Sequence, residues 1–442
     1  MDQYPLNSRH RDPEGLVRSP RHVVALALRI KGELRVDALQ DALDEVVERQ
    51  EALRTRIHYD EQDGTRGFEE VLAPQPVPLT VYDTPLPRGR PRDEMALDVH
   101  VALHEAELSF LAIPSLRADL YRFDDRDALL TLVTHHLFSD GWSSDLLRRE
   151  IAACYRARLA GVPHTLPSPV PYRMYDTWKR EFLASEKAAE CSRYWGRELA
   201  GVEMYTMPAD RPHGPETRAP RTEMETFTID PGRFAEVAAS AARHRCSVWH
   251  VFLAAFMVLA EKVSGRTDIT LPIVNNGRYD ERFYQTVGLF VDLVPVRLDF
   301  GGCASFRDLM LLARRASADS QQHRMPFDSL LEVFPDLVKG AFDPLALLPS
   351  FNYVRSPKAE VQTRFAASVE PVVPEKEVSA SYVRGAFAFI WTFVVLSSGE
   401  FRCAIGYEPD AIDAATVQRL GIEFVDLIQM IADRPDQKWK DR

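Results

Sequence analysis

A proline-rich stretch interrupts the chain after its first third and limits how it can fold. Residues 161–172, GVPHTLPSPVPY, contain four prolines. Proline has no backbone N–H and fixes φ, so neither a helix interior nor a central strand should cross this stretch. The chain has 442 residues, which is more than one hydrophobic core usually organises. We therefore predict two domains, residues 1–172 and residues 173–442.

Strand and helix patterns occur together in both predicted domains. Leu39, Leu43, Val46 and Val47 recur at helical spacing, which predicts an amphipathic helix over residues 36–51. The other predicted strands cover residues 22–31, 53–60, 127–134, 223–229, 268–274 and 287–298, and the other predicted helices cover residues 97–110, 173–200, 231–243 and 247–264. This mixture predicts an α/β (α+β) fold.

Charge and cysteine usage exclude several classes of protein. The formal net charge is −11, whereas a nucleic-acid-binding chain needs a basic face. The five cysteines contain no C-x-x-C pair, which argues against a disulfide framework or zinc knuckle. The N-terminus lacks a signal-peptide pattern, and the apolar stretch at residues 248–260 is shorter than the ~20 residues of a membrane helix. We therefore expect a cytoplasmic protein with no membrane or nucleic-acid partner.

The most informative segment joins a buried strand to a helix. Residues 127–134, DALLTLVT, form a short apolar run rich in strand formers. The sequence HHLFSDGWS follows at residues 135–143. Ser143 or Ser144 is then a natural N-cap for a helix, with acidic Asp145 in its first turn. The two histidines are therefore expected where the strand ends and a loop begins.

His135 and His136 should have different roles, because side chains alternate faces along a strand. The rings should point in opposite directions, and they lack the i, i+4 helical spacing of common zinc motifs, so we expect no metal site. A histidine that faces a substrate near neutral pH can act as a general base. Asp140, if it is buried, needs a partner for its charge. The alternative is that both histidines belong to the core and that Asp140-Gly141 forms an ordinary turn.

The segment at residues 135–143 resembles the H-H-x-x-x-D-G motif of condensation domains from nonribosomal peptide synthetases. These domains belong to the superfamily that includes chloramphenicol acetyltransferase. Further segments resemble family motifs in the same order and extend the resemblance over roughly residues 4–425. They are Glu48–Ile57 (R-H-E-x-L-R-T-x-F), Tyr172–Trp178 (Y-x-D-F-A-V-W), Ser192–Trp195 (the helix ending Y-W-x-x-x-L), Val287–Asp292 (V-G-x-F-V-N) and Met325–Asp328 (x-P-F-E).

The resemblance implies a fold and a set of site residues. Family members consist of two chloramphenicol-acetyltransferase-like lobes in a V-shaped pseudo-dimer, with the active site in the tunnel between them, so we expect a monomer. His136 corresponds to the functional second histidine and His135 to the first, usually structural one. Gly141 corresponds to a tight turn whose backbone N–H lies near the reacting carbonyl. Asp140 corresponds to a buried aspartate that pairs with an arginine of the R-T segment, which makes Arg54 its expected partner.

The resemblance also implies a reaction, an acyltransferase condensation in natural-product biosynthesis. Family members take an acyl or aminoacyl thioester from the phosphopantetheine arm of a carrier protein and join it to an amine or hydroxyl. The acceptor is held by a second carrier protein or is a small molecule. We expect His136 to accept the acceptor's proton, Gly141 to stabilise the oxyanion, and no cofactor beyond that arm. No segment resembles an adenylation domain, so we expect a free-standing enzyme that works in trans.

Other residues near the motif allow two interpretations. Trp142 fits either core packing or the tunnel wall, and Ser143 fits either a helix N-cap or the tunnel. Asp292 stands where the family has asparagine. It either contacts a cationic substrate or is a solvated strand residue, and we prefer the second interpretation. His10 similarly replaces a glutamine. These departures favour an unusual acceptor, such as a small soluble molecule, over ordinary peptide elongation.

Two arginine clusters are either docking faces for an acidic carrier protein or ordinary solvated faces, and we prefer the second interpretation. They are Arg9, Arg11, Arg18 and Arg21, and Arg148, Arg149, Arg156 and Arg158. Two other functions stay open, a non-catalytic recruitment module that binds a carrier protein or tailoring enzyme, and an epimerase relative. The presence of His136 and Gly141 favours catalysis over recruitment. The order Gly141-Trp142-Ser143-Ser144 favours condensation over epimerisation.

Overall fold

A computed structural model describes residues 2–11, 20, 22–60, 63–83, 91–103, 106–212, 223–355, 368–371, 389–396 and 398–441. These residues form two compact units, each with its own sheet and hydrophobic core. Both units combine strands with helices, so the predicted α/β (α+β) class is confirmed.

The two units do not match the predicted domains, which had one boundary, after residue 172. The first unit continues to Phe182 and also includes the later segment Asn276–Val291. That segment belongs to the first unit because its last backbone N–H groups donate hydrogen bonds to Asp140. The chain therefore leaves the first unit after Phe182 and returns to it.

The described residues of the first unit form two sheets. Its strands are β1 (Asp2–Pro5), β2 (Val23–Lys31), β3 (Thr55–Tyr59), β4 (Gly67–Val71), β5 (Leu79–Asp83), β6 (Leu116–Asp124), β7 (Asp127–His135) and β14 (Ser368–Pro371), and its helices are α1 (Val36–Arg49), α2 (Arg92–Ala102), α3 (Gly141–Ala160) and α4 (Met174–Leu183). The larger sheet has the order β14-β2-β7-β6-β5, and the smaller has the order β1-β4-β3.

Strand β7 is an interior strand that leads directly into the histidine pair. It runs antiparallel to both neighbours, and Val23 of β2 lies opposite His135. All residues from Ala128 to His135 are buried, which explains the almost unbroken apolar run in the sequence. Leu132 packs into a cluster with α1 and α3, while Val133 packs into a different cluster. Burial on both faces fixes where the strand delivers the next residue, His136.

The second unit is built on a larger sheet. Its strands are β8 (Met207–Pro208), β9 (Glu223–Ile229), β10 (Asp268–Asn275), β11 (Asp292–Asp299), β12 (Ala346–Leu347), β13 (Pro349–Arg355), β15 (Phe389–Val395) and β16 (Phe401–Tyr407), and its helices are α5 (Glu186–Glu198), α6 (Pro231–Arg243), α7 (Val248–Ser264), α8 (Phe306–Gln322), α9 (Phe327–Val333) and α10 (Ala414–Asp433). The order of the main sheet is β11-β10-β13-β15-β16-β9, and β8 pairs with β12.

Helix α7 is the central helix of the second unit. All residues from Val251 to Ala260 are buried. Because every face of this part of the helix is covered by protein, its side chains are apolar on all sides. No single helix among the described residues has the length and apolarity to cross a bilayer. Helices α6 and α7 pass that test only together, and they are bent by 94° relative to each other.

Several predicted elements have different bounds in the structure. The predicted helix over residues 173–200 is two helices, because Ser185 caps the second one through a hydrogen bond from the Ala188 N–H. The predicted helix over residues 97–110 lies earlier, at Arg92–Ala102. The predicted strand over residues 287–298 begins only at Asp292. The residues before Asp292 are apolar, but some of their N–H groups bond to polar side chains of the first unit instead of a neighbouring strand.

Candidate active site

His136 follows the last residue of β7 and begins a single 3₁₀ turn that ends at Phe138. Its backbone N–H donates to the carbonyl of His22 at 2.8 Å, which extends the β2–β7 pairing to the first residue of the loop. The side chain is partly exposed, whereas the neighbouring His135 is fully buried. Adjacent histidines therefore have different environments, as the alternation of side chains predicted.

His135 has the interactions of a structural residue. Its Nδ1 accepts a hydrogen bond from the Leu137 N–H at 3.2 Å and thereby caps the 3₁₀ turn. A ring that accepts at Nδ1 carries its proton at Nε2 when it is neutral. The buried ring thus fixes the backbone immediately after His136.

The environment of His136 keeps its ring neutral down to a lower pH than an exposed histidine would be. Burial lowers the pKa of His136 below its ordinary value, because the surrounding protein removes water that would solvate the imidazolium. The ring's own backbone, Asp140 and Ser139 raise that pKa, and Arg9 lowers it further, but burial dominates. Nδ1 is buried, so Nε2 is the nitrogen that remains for a substrate. A neutral imidazole with an available nitrogen can accept a proton.

Asp140 is the most completely bonded carboxylate near the histidines. Its Oδ2 accepts from Arg278 Nη1 at 2.9 Å and from the N–H groups of Phe290 and Val291 at 3.0 and 3.1 Å. Its Oδ1 accepts from the Ser143 N–H at 2.8 Å, from the Ser143 hydroxyl at 2.7 Å and from Arg278 Nη2 at 3.3 Å. A buried charge with this many donors is stabilised in the ionised form.

The pKa of Asp140 reflects the same contacts. Burial alone would raise this pKa, but the Arg278 guanidinium and the hydrogen bonds from Ser143 outweigh it and hold the pKa below its ordinary value. Asp140 and Arg278 are both almost fully buried, at 1% exposure each. The pair is therefore a buried ion pair that stays charged.

The expected pairing of Asp140 with Arg54 is wrong. Arg54 is partly exposed, and its Nη1 donates to the Leu72 carbonyl at 2.7 Å. The cation at Asp140 is Arg278, which lies 138 positions further along the chain. Nothing in the motif order indicated this residue, because the loop that carries Arg278 returns to the first unit only in the folded chain. The one available signal was the requirement that a buried carboxylate be paired.

Arg278 is held as firmly as the carboxylate that it binds. Its Nη2 also donates to the Ser143 hydroxyl at 3.1 Å, and its guanidinium lies 4.3 Å from the centre of the Phe290 ring. Its remaining hydrogen bonds go to the carbonyls of Asn276, Phe283 and Thr286. The guanidinium thus ties residues 276–291 to the start of α3.

Ser143 is not the N-cap of α3, because Asp140 has that role. Asp140 has extended φ and ψ of −144° and −178°, and its side chain accepts from the N–H of Ser143. The Ser143 hydroxyl is instead buried, and it accepts from the Gly288 N–H at 3.1 Å. Trp142 is partly exposed, and its Nε1 donates to the Tyr284 carbonyl at 3.2 Å. Trp142 therefore packs on the edge of the core rather than inside it.

Gly141 is the first residue of α3 and is exposed. A Cβ placed on Gly141 would meet no protein atom within 4 Å, so the fold itself does not require glycine here. The first N–H groups of a helix have no intrahelical partner and carry the positive end of its dipole. The structure thus places a helix N-terminus directly after the loop that carries His136.

Asp292 lies in the second unit, and the interpretation of Asp292 as a solvated strand residue is wrong. The side chain is 5% exposed. Its Oδ1 accepts from the N–H of Leu293 at 2.9 Å, and its Oδ2 accepts from the N–H of Phe327 at 3.1 Å. Asp292 therefore joins the first residue of β11 to the first residue of α9.

His22 was not identified from the sequence, although its ring contacts His136. The two ring centres are 4.7 Å apart and the planes differ by 30°, which is a stacked arrangement. His22 also contacts His135 edge-on, at 6.0 Å between centres. The alignment of β2 with β7 could have identified His22, because it places residue 22 opposite residue 136.

The second arginine cluster is largely neutralised by acidic neighbours. Arg148 and Arg149 both lie within ion-pair distance of Asp145, at 2.6 and 3.4 Å, and Arg158 lies 3.6 Å from Glu45. Pairs of this kind reduce the positive field available to a partner. Arg156 and Arg158 are exposed, as the preferred interpretation expects, whereas Arg148 is buried at 8% exposure and does not belong to a solvated face.

The first arginine cluster is described only in part. Arg9 is partly buried and donates to the Val291 carbonyl, and Arg11 is exposed. Arg18 and Arg21 lie outside the described residues. A docking face for an acidic carrier protein stays a prediction.

One cluster in the described ranges has the donor atoms of a metal site. Atoms of Glu45, Cys154 and His164 lie within 4.8 Å of one another. Arg49 Nη1 is 3.3 Å from His164 Nε2, however, and Arg158 Nε is 3.6 Å from Glu45. Burial, with some help from Glu45, raises the pKa of the Cys154 thiol to about 12. A metal cation would therefore face two guanidinium groups and a protonated thiol.

The chain belongs to the condensation domain family, whose pattern matches residues 18–442. CymA of Salinispora arenicola, a nonribosomal peptide synthetase, is 31% identical over 436 residues, which are 93% of this chain and 5% of that protein. Phosphinothricin tripeptide synthetase PhsB of Streptomyces viridochromogenes is 29% identical over 424 residues, which are 94% of this chain and 34% of that protein. A linear gramicidin synthase protein of Brevibacillus parabrevis is 29% identical over 315 residues, which are 70% of this chain and 6% of that protein. This chain thus spans only a small part of the length of these relatives.

Solved structures give the same assignment of the fold. SgcC5 from Streptomyces globisporus, in complex with (R)-(-)-1-(2-naphthyl)-1,2-ethanediol and sucrose, has a TM-score of 0.86 at 26% identity and covers 98% of this chain and 96% of its own. The X-domain from teicoplanin biosynthesis has a TM-score of 0.78 at 21% identity, with 99% and 96% covered. The condensation domain of the monacolin K polyketide synthase MokA has a TM-score of 0.78 at 18% identity, with 99% of each chain covered. The likeness to the last two shows a shared fold alone.

Proposed function

We propose that this chain transfers an acyl group from the thioester of a phosphopantetheine-bearing carrier protein to an amine or hydroxyl acceptor. The observation that carries the proposal is a partly exposed His136 with a lowered pKa, next to a buried Asp140 that is fully occupied by other donors. Because Asp140 is bonded to Arg278 and backbone N–H groups, it leaves the imidazole free to take a proton from a substrate. The membership in the condensation domain family supports the same chemistry.

The proposed reaction needs one proton acceptor and no further reactant. The acceptor nitrogen or oxygen attacks the thioester carbonyl, and its proton moves to Nε2 of His136 as the new C–N or C–O bond forms. The tetrahedral intermediate then collapses, the C–S bond breaks, and the sulfur of the pantetheine arm takes the proton from His136. The products are an amide or ester and a free thiol, and the imidazole returns to its neutral form.

The start of α3 is the proposed stabiliser of the oxyanion. Gly141 and Trp142 are its first two residues, and their N–H groups belong to the helix turn that lacks intrahelical partners. Preorganised donors of this kind typically contribute about 10²–10³-fold to a rate. An exposed Gly141 with open space at its Cβ position leaves room for a substrate carbonyl.

A small soluble acceptor is part of the proposal. The departures at His10 and Asp292 set this chain apart from the usual family pattern. SgcC5, which is 26% identical, was solved with an aryl-substituted ethanediol, a molecule with two hydroxyl groups and no carrier. Aryl diols and simple amines are therefore the first acceptors to test.

The test is incubation of acyl-loaded carrier protein with this chain and a panel of diols and amines, followed by intact mass of the carrier and of the product. His136→Ala should lower turnover by about 10²–10⁴-fold while carrier binding is kept. Gly141→Ala is the matched second variant, since its Cβ meets no protein atom but enters the proposed substrate space. Equal turnover by wild type and His136→Ala would remove His136 from the mechanism. Carrier binding without product from any acceptor would favour the recruitment module.

A further inference from the structure

His10 lies in the first unit, beneath the loop that carries His136, and is fully buried with Glu69. Its Nδ1 is 2.7 Å from Glu69 Oε1, and its Nε2 is 2.8 Å from the carbonyl oxygen of Leu137, the residue after His136. Tyr172 packs on the ring, with centres 5.2 Å apart. One imidazole thus links strand β4 to the backbone of the histidine loop.

The two partners of the ring determine how many protons it carries. A carbonyl oxygen only accepts hydrogen bonds, so Nε2 must donate to Leu137. Glu69 Oε1 also accepts from the Asn7 N–H at 2.8 Å, a bond that favours the ionised carboxylate. With Glu69 ionised, Nδ1 donates to Oε1 as well, and a ring that donates from both nitrogens is an imidazolium. With Glu69 protonated, the carboxyl O–H would instead donate to Nδ1 of a neutral ring.

We propose that His10 is a positioning residue of the reaction: as an imidazolium paired with Glu69, it holds the Leu137 carbonyl and thereby sets the orientation of His136. The inference depends on the proposed function for its kinetic part only. Removing the proton from this pair would leave the lone pair of Nδ1 opposite a carboxylate oxygen at 2.7 Å. Such a contact is repulsive in a buried site, so the loop would lose its support.

The groups around the pair are compatible with one trapped positive charge. The Tyr59 hydroxyl donates to the His10 carbonyl at 2.7 Å. Burial raises the pKa of Tyr172 well above its ordinary value, so the phenol that packs on the ring stays neutral. Arg9, the preceding residue, directs its guanidinium to the Val291 carbonyl. Glu69 is therefore the carboxylate that balances the imidazolium.

The variants separate the charge of the pair from its hold on the loop. Glu69→Gln removes the negative charge, and its amide oxygen in place of Oε1 still accepts from the Asn7 N–H. The same oxygen then accepts from a neutral His10 ring protonated at Nδ1, which leaves Nε2 without a proton for the Leu137 carbonyl. His10→Gln places the residue usual in the family, whose amide nitrogen can donate to Leu137. His10→Leu combined with Glu69→Leu removes both charges, which protects folding, but nothing then donates to the Leu137 carbonyl.

The first readout is the ¹⁵N NMR spectrum of the histidine rings, recorded on the full chain without substrate. The signals of His10 are identified as those that are missing from the spectrum of His10→Gln. We expect both His10 nitrogens to be protonated at neutral pH in the wild type. In Glu69→Gln the ring should become the neutral form with its proton on Nδ1. A neutral His10 in the wild type would overturn the proposal, whether or not the chain turns over any substrate.

The second readout is kcat with the acyl-carrier assay and the ring signals of His136. His10→Gln should stay within a few-fold of wild type, whereas Glu69→Gln should lower kcat because its neutral His10 no longer donates to the Leu137 carbonyl. The double leucine variant should be folded, show shifted His136 signals and lose about 10²-fold in kcat, the scale for a small misplacement of a reacting group. A folded double variant with unchanged His136 signals contradicts the positioning role. If the wild type has no turnover, the proposed function fails, while the spectra still decide the inference on His10.

Discussion

Two buried pairs of side chains support the loop that carries His136: an arginine–aspartate ion pair and the histidine–glutamate pair that we propose to be charged. Asp140 is bonded to Arg278 after the loop, and Glu69 is bonded to His10 before it. Arginine keeps its charge at every pH at which a protein is folded. Histidine holds its second proton only if its surroundings favour the imidazolium. One support is thus permanent, and the other depends on a proton.

The comparison also separates the two supports by what they hold. Asp140 receives backbone N–H groups from Phe290 and Val291, so this pair fixes a distant segment to the start of α3. His10 contacts the Leu137 carbonyl, so that pair acts on the histidine loop itself. We therefore expect loss of the first pair to appear mainly as instability, and loss of the second mainly as reduced turnover.

The largest expected effect comes from breaking the permanent pair. Arg278→Met should lower the free energy of unfolding by about 3–5 kcal/mol, because Asp140 would be left as an unpaired buried charge. Arg54→Met is the matched control, since it removes one partly exposed hydrogen bond and should cost about 0.5–1.5 kcal/mol. Urea unfolding of both variants measures the difference. Equal losses would show that Arg278 is not the essential partner of Asp140.

A smaller loss is expected from the hydroxyl that joins the members of this pair. Ser143→Ala removes contacts to Asp140, Arg278 and Gly288, and should cost about 1–3 kcal/mol because the buried partners lose a hydrogen bond. Ser144→Ala is the control, because its hydroxyl makes a single 3.3 Å contact to the Asp140 carbonyl and is partly exposed. Chemical denaturation checks the order. A larger loss in Ser144→Ala contradicts the bonding described for Ser143.

Acid should affect His136 and Asp140 in separate pH windows. The pKa of His136 is lowered from 6.5, so the unfolded chain takes up a proton that the folded ring refuses, and stability falls as pH drops below about 6.5. The pKa of Asp140 is lowered from 3.8, so its share of the stability is present above about 3.8 and is lost as pH falls further. His136→Gln should therefore gain stability relative to wild type as the pH falls below about 6.5. Thermal or urea unfolding at several pH values tests this, and a constant difference would contradict the lowered pKa.

The smallest expected effect concerns the ring stacked on His136. His22→Phe keeps an aromatic face at this position and should change turnover by less than a few-fold, whereas His22→Ala removes the stacking partner and should lower it further. Stacked aromatic pairs contribute about 0.5–1.5 kcal/mol, which corresponds to roughly 2–10-fold in rate. Single-turnover rates of the two variants measure it. A greater loss in His22→Phe would mean that the imidazole of His22, and not its stacking, matters.

The local structure around the motif could be predicted from the sequence, because neighbouring residues determine it. Alternation along β7 gave the different environments of His135 and His136, and the buried apolar run gave the interior strand. The charge of Asp140 correctly required a partner. The helix pattern predicted α3 but placed its N-cap at Ser143 or Ser144, three or four residues after the actual N-cap, Asp140.

The long-range contacts could not be predicted in this way. Arg278 and Gly288 reach the motif only because residues 276–291 return to the first unit, and no periodicity reports such a return. The apolar residues 287–291 have the composition of a strand, but several of their N–H groups bond to Asp140, Ser143 and Gln50. Burial of His10 with Glu69 likewise depends on the pairing of β1 with β4.

The pH dependence of the single-turnover rate of acyl transfer tests the central claim, that a neutral His136 accepts the proton of the acceptor. The account predicts a rate that rises with pH through a midpoint below 6.5, the ordinary value for histidine, and levels off above it. This rise should disappear in His136→Gln together with most of the rate. A rise with its midpoint at or above 6.5, or a rise that persists in His136→Gln, would contradict it.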